Sequence, residues 1–221
     1  MAVVVITGGN RGIGLALARL YTFAGYRVVL GIRSPDAAVG LPGTILPLDV
    51  RNDDSVAAFS EALSGQAIDI LINNAGIIGP DRQSALSTDF RGFLETLNVN
   101  TLGPLRVTQA LLPNLRKVDG AKVAVLSSRM GSLSCTEADR IAYRASKAAV
   151  NKVAQCLATD LADYGIALAV LHPGWARTDM GGPSGKIAPE ESARGIKAVM
   201  DSLTAIASGC FWNFDGSPVP W

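Results

Sequence analysis

The sequence predicts an α/β fold, a doubly wound and mostly parallel sheet of about seven strands in a single domain spanning residues 1–221. Two observations carry that reading. Short β-branched runs alternate with longer helix-period segments along most of the chain, the signature of parallel strands joined by crossover helices. A glycine-rich turn also follows directly on the first strand and opens the first helix, and at 221 residues, 48% of them hydrophobic, the chain can bury one core.

"VVVIT" (3–7) is the first strand, "GIGLALARLYTFAG" (12–25) the first helix and "RVVLGI" (27–32) the second strand. Further strands are predicted at "TILPLDV" (44–50), "DILINNA" (69–75), "KVAVLSS" (122–128), "ALAVLHP" (167–173) and "GCFWNF" (209–214). Helices fall at 53–64, 91–118, 141–164 and 189–207, the last announced by "PEES", with Pro in the first turn and acids behind it. Segment 33–43, "RSPDAAVGLPG", is too short and too rich in Pro and Gly for a crossover helix, so one helical turn at most is expected. "DMGGPSGKIAP" (179–189) reads as a mobile surface loop.

Lys and Arg total 20 against 19 Asp and Glu, so a net charge of +1 offers no electrostatic reason to expect nucleic acid or an anionic membrane as partner. Cys135, Cys156 and Cys210 are odd in number, widely spaced and free of any C-x-x-C pattern. That argues against a disulfide framework or zinc site and suits a reducing cytoplasm. His172 is the one histidine, so no metal is expected, and its place before Pro173 at the end of an apolar run indicates a structural role. The apolar N-terminal stretch is too short for a signal peptide and lacks a basic region ahead of it, and no span approaches the ~18 apolar residues of a membrane helix.

In "TGGNRGIG", Gly8 permits a tight turn, Gly12 lets the backbone approach a pyrophosphate and Gly14 lets helix and strand pack closely. The spacing Thr-Gly-x-x-x-Gly-x-Gly resembles that of the short-chain dehydrogenase/reductase family. The resemblance is supported in chain order by "NNAG" (73–76), "NTLG" (100–103), "SSRMG" (127–131), "YRASK" (143–147) and "PGWARTDM" (173–180). It implies a Rossmann fold and a nicotinamide dinucleotide held by the turn residues Gly8, Asn10, Arg11, Gly12, Ile13 and Gly14. Asp49 and Val50 would lie at the adenine, Asn74, Ala75 and Gly76 after the fourth strand, and Tyr143, Lys147, Pro173, Gly174 and Thr178 toward the nicotinamide. The best match within the family is the carbonyl reductase-like branch that includes C-factor-like signalling proteins, on "YRASKAAVN", "HPGWARTDMGGP", "PEES" and "FDGSPVPW".

A phenol with a reference pKa near ~10 is a sluggish proton donor at neutral pH, and an ammonium one helical turn away is the obvious tuning device. By resemblance, Tyr143 is the general acid or base for a carbonyl or secondary alcohol, and Lys147 lowers its pKa and holds the nicotinamide ribose. Ser128 positions the substrate oxygen, while Ser127 faces the other side of the strand. Asn100 helps hold a water beside the lysine; Asn98, about 200° away around a helix, faces elsewhere. The stretch between Ser128 and Tyr143 is a little longer than the family's, which leaves the shape of 131–142 open.

No carboxylate ends the second strand, whereas Arg33 and Arg11 could hold a 2′-phosphate, so NADP(H) is expected over NAD(H), with Asp36 the rival residue. Thr178 matches the family's carboxamide contact, ahead of a loop free to close. Ile77, Ile78, Met130, Cys135, Trp175 and Met180 are the candidate substrate residues and say only "a carbonyl on an apolar body". Helices 91–118 and 141–164 match the pair through which relatives form homodimers or homotetramers. The rival reading is a non-catalytic dinucleotide-binding signalling protein, which would need the glycine turn but not Asn100, Ser128, Tyr143 and Lys147 together. A methyltransferase would not need the Tyr/Lys pair, and a nucleotide-sugar epimerase would need a larger C-terminal part.

Overall fold

The structure is a computed structural model that describes residues 1–35 and 40–221. Residues 36–39, Asp36 among them, therefore lie outside the described residues. The elements run β1 (Val3–Thr7), α1 (Gly12–Phe23), β2 (Arg27–Ile32), β3 (Thr44–Pro47), α2 (Asp53–Ala62), β4 (Ile70–Asn73) and a small hairpin, β5 (Gln83–Ser84) with β6 (Ser87–Thr88). They continue with α3 (Phe90–Leu97), α4 (Gly103–Leu115), β7 (Lys122–Leu126), α5 (Ile141–Ala162), β8 (Ala167–His172), α6 (Pro189–Ser202) and β9 (Phe211–Asn213).

The seven-stranded sheet has the order β3-β2-β1-β4-β7-β8-β9, and every neighbouring pair in it is parallel. Its strands read as unbroken apolar runs because both faces are covered. Val5, Leu71, Val123 and Val170 pack on one side with Phe59, Leu111, Leu115 and Val150. Their neighbours Ile6, Ile72, Ala124 and Leu171 pack on the other with Leu17, Tyr21, Ile196 and Met200. From β1 the chain winds outward to β2 and β3, then returns to β4 on β1's other side and winds the opposite way. The crevice beyond the carboxyl ends of β1 and β4 is the place where such a sheet receives a ligand.

The predicted helix 91–118 is not continuous. A π-helical stretch, Asn98–Leu102, separates α3 from α4. Pro104 has no N–H to give the carbonyl of Asn100 four residues back and its ring would clash there, so the helix widens, and the N–H of Gly103 bonds Asn98 O instead. The strand expected over 44–50 stops at Pro47, and helix 189–207 stops at Ser202, where Lys122 Nζ donates to Met200 O (2.6 Å) and Asp201 O (3.0 Å). The helix α5 opens from Arg140, which lies in the left-handed region at φ 53° and makes no side-chain cap of its own.

Gly131, closing a 3₁₀ turn after β7, lies against α5 so tightly that a Cβ would stand 2.5 Å from the Lys147 carbonyl carbon and 2.7 Å from its Cβ. Gly131→Ala forces backbone apart from backbone, and overpacking of this kind costs about 1–3 kcal/mol. Thermal unfolding of Gly131→Ala is expected to show a Tm several degrees lower; an unchanged Tm contradicts the packing described.

Candidate active site

The floor of the crevice is the glycine turn. Gly8 and Gly12 take φ values of 68° and 52°, and a Cβ on Gly14 would lie 2.4 Å from Gly8 O and 2.5 Å from Asn74 Nδ2. Asn74 Nδ2 donates to Thr7 O and Gly8 O, both at 2.9 Å. Thr7 Oγ1 in turn accepts from the N–H groups of Asn74 and Ala75, both at 3.0 Å. At the start of α1, Arg11 makes no side-chain cap and the first turn carries no acid, so its free N–H groups and the helix dipole suit an anionic pyrophosphate. The crevice fits the dinucleotide on that ground.

A cavity of about 510 Å³ runs from this turn to α5. Every predicted cofactor residue lines it except Gly174, where a Cβ would strike Ile187 and Phe214. At its outer end Arg33 is exposed, and Arg11 Nη1 pairs with Asp179 Oδ2 at 2.9 Å, both side chains being largely in solvent. Asp49 is gripped by Arg51, from Nε at 2.9 Å and 3.1 Å and from Nη2 at 2.7 Å. Arg51 Nη1 reaches Glu95 Oε1 at 2.7 Å. The hydrogen bonds from Arg51 hold the Asp49 carboxyl below its usual range, with Arg33 adding its charge. Arg51 and Glu95 belong to no motif and were not legible as site residues.

At the inner end, Lys147 is buried and donates from Nζ to Leu126 O at 2.8 Å; burial alone brings its pKa down from 10.5 to about 8. Its Nζ lies 5.7 Å from the centre of the Tyr143 ring. The expected lowering of the Tyr143 pKa does not follow. Burial pushes the phenol up, and the opposing influences are the nearby Ser128 hydroxyl and the charge of Arg140, since the ammonium is directed at Leu126 O. Ser128 Oγ also accepts from the Met130 N–H at 3.2 Å, while Ser127 Oγ turns to Asn151 and the Lys147 carbonyl of α5.

Asn100 is buried beneath the site without lining the cavity. Its Oδ1 accepts from Ile77 N (2.9 Å) and its Nδ2 donates to Ile77 O (2.8 Å) and Ser146 Oγ (3.0 Å), so its side chain fixes a loop and α5 to each other. Asn98 turns away to Arg106 Nη1, at 2.8 Å. Thr178 Oγ1 accepts from Gly181 N at 3.0 Å, and its methyl faces Gly12. An Ala176–Ile187 bridge ties the base of the 179–189 loop. His172, pushed down to about 4 chiefly by burial, is neutral at physiological pH, and no group of metal-binding side chains occurs among the described residues.

Of the substrate candidates, Ile77 lines the main cavity, Ile78 a second one of about 480 Å³ beside it, and Met180 both. Met130, Cys135 and Trp175 line neither. Cys135 Sγ is engaged by Glu137 and Arg144, and the Trp175 indole N–H is tied to Gly181 O at 2.7 Å. Gln83 was not anticipated. Buried in the hairpin, it accepts from Tyr143 N through Oε1 (3.1 Å) and donates to Ile78 O (3.0 Å), so it supplies the cap that Arg140 does not. No local pattern reveals a cap from 60 residues away.

The profile of short chain dehydrogenases matches residues 2–187. The C-signal of Myxococcus xanthus is 43% identical over 166 residues, covering 74% of this chain and 99% of that protein. The 1-hydroxy-2-glutathionyl-2-methyl-3-butene dehydrogenase of Rhodococcus sp. (strain AD45) is 34% identical over the whole of both chains. Among solved structures, the carbonyl reductase Sniffer of D. melanogaster (TM-score 0.93, 31% identity) and an NADPH-bound carbonyl reductase from chicken fatty liver (TM-score 0.91, 30% identity) each superpose over the full length of both chains. The glycine turn, the Tyr143/Lys147 pair and the sheet order thus have one common origin: the chain belongs to the short-chain dehydrogenase/reductase family.

Proposed function

We propose that the protein is an NADP(H)-dependent carbonyl reductase, with Tyr143 as the general acid. The observation that carries this reading is a single one: Tyr143 and Lys147 line the same cavity as the glycine turn. The bound nicotinamide supplies the hydride. Burial favours the neutral form of the Tyr143 phenol, the form that donates a proton to a carbonyl oxygen. Ser128 holds that oxygen beside the phenol. Lys147 binds the nicotinamide ribose, Thr178 the carboxamide, and Asn100, Ser146 and Gln83 act as positioning residues that fix α5.

Preference for the phosphorylated cofactor is supported by Arg33 at the end of β2, where no carboxylate stands, by Arg11, and by the NADPH carried by the chicken carbonyl reductase. Apolar Leu86, Phe90 and Leu94, exposed along and just before α3, support pairing of two copies across α3, α4 and α5. No helix among the described residues is long and apolar enough to cross a membrane, and three free cysteines suit a reducing cytoplasm. The signalling reading has its own support, because the C-signal is the more similar of the two relatives.

The two readings part at Tyr143→Phe, which deletes one oxygen and leaves the glycine turn untouched. Carbonyl reduction is expected to fall by about 10²–10⁴ with NADPH affinity and Tm unchanged. Undiminished reduction by a folded variant contradicts the assignment, and a biological effect that survives it in the absence of any turnover supports the signalling role.

Cofactor choice is read from binding: Arg33→Ala, alone and with Arg11→Ala, is expected to weaken NADPH while leaving NADH unchanged, and equal losses for both cofactors contradict it.

Lys147 gives a pH test. Its folded pKa of about 8 lies below its ordinary 10.5, so between those values the unfolded chain holds more protons and stability rises with pH; below about 8 that gain is absent. Lys147→Met is expected to abolish this rise in urea unfolding across pH 7 to 10, and parallel pH profiles for the two proteins contradict the buried ammonium.

A further inference from the structure

Arg51 stands at one end of the main cavity and outside every motif of the sequence. The glycine turn marks where a pyrophosphate would lie, and Tyr143 and Lys147 mark the nicotinamide end. The opposite end, beyond β2 and β3, is walled by Leu48, Val50, Val99 and Arg51. Here the Arg51 guanidinium is clamped in its own plane, with Nε and Nη2 spent on Asp49 and Nη1 on Glu95. Three of its five N–H groups are thus engaged, by carboxylates on different elements. The clamp bridges the loop after β3 to α3 and fixes the orientation of the group, whose side chain remains one-third exposed (33%).

Charge separates two possible uses of this arginine. One guanidinium between two carboxylates leaves the trio at a net −1, an unfavourable place for a further dianion. Arg33, just after β2, makes no ion pair with any described residue, lines the same cavity and adds its charge to the field at Asp49. A neutral purine meets no such repulsion, and a planar guanidinium with its edges occupied still presents a face on which an aromatic ring stacks. Leu48, Val50 and Val99 add apolar surface to the lining of the same cavity.

We infer that Arg51 is an adenine-binding residue: clamped by Asp49 and Glu95, it offers its planar face to the purine ring and does not contact the 2′-phosphate. This rests on the dinucleotide reading above.

Titration calorimetry of NADPH, NADH and reduced nicotinamide mononucleotide against wild type, Arg51→Ala and Arg51→Lys tests it. Stacking of a base is worth about 1–3 kcal/mol, so Arg51→Ala is expected to weaken both dinucleotides alike, roughly 5- to 150-fold, and to leave the mononucleotide unaffected. Arg51→Lys keeps the positive charge between Asp49 and Glu95, so it guards against a misfolded alanine variant. It lacks a planar face and is expected to lose affinity for both dinucleotides as well. Wild-type affinity in either folded variant overturns the inference, as does a loss confined to NADPH, which would make Arg51 a phosphate ligand. Failure of the wild type to bind either dinucleotide would overturn the cofactor reading and this inference with it, whereas intact binding by the variants overturns this one alone.

Discussion

The active-site crevice depends on one junction, the point where the winding of the sheet reverses between β1 and β4. Adjacent parallel strands there end in loops that diverge, and nothing in the ladder itself holds them at a fixed distance. Asn74 does so, by donating both hydrogens of one side-chain amide to consecutive carbonyls, Thr7 O and Gly8 O, while Thr7 Oγ1 accepts two backbone N–H groups in return. Four hydrogen bonds through two side chains set the height of the glycine turn, and Gly14 is required because a Cβ would collide with that same amide. The glycine turn and α5 keep a fixed spacing across the cavity only if this junction is rigid.

The second anchor is the buried polar seam along α5. Asn100 ties Ser146 to the Ile77 backbone, Thr101 Oγ1 donates to Ser146 O, Ser127 reaches Asn151, and Lys147 reaches Leu126 O. Each buried side chain in this seam has at least one hydrogen-bond partner, so the seam specifies a position and not merely a contact. The cost falls on Lys147. Its ammonium is desolvated and has one carbonyl partner, Leu126 O, and burial lowers its pKa.

Much of this was legible in the sequence because it rests on local signals. The β-branched runs, the glycine turn and the Tyr-x-x-x-Lys spacing are short-range patterns, and they located the strands, Gly8, Gly12, Gly14, Tyr143 and Lys147 in one crevice. What escaped was long-range or counter to a simple period. The break in the helix over 98–102 needed Pro104 to be read as a widening, and Gln83 meets Tyr143 only through tertiary structure. The Tyr143 pKa was misjudged because a helical spacing gives proximity but not the direction of an Nζ or the depth of burial. Met130, Cys135 and Trp175 were apolar residues near motifs, and their side chains turned out to be committed elsewhere or to line neither cavity.

The account stands or falls on whether hydride leaves the cofactor for a carbonyl carbon in this crevice. The most direct measurement is mass spectrometry of the alcohols formed when the protein is incubated with 4,4-dideuterated NADPH and a panel of ketones and aldehydes. The account predicts a product carrying one deuterium at the carbinol carbon. Saturable NADPH binding with no deuterium transferred to any member of the panel would contradict it.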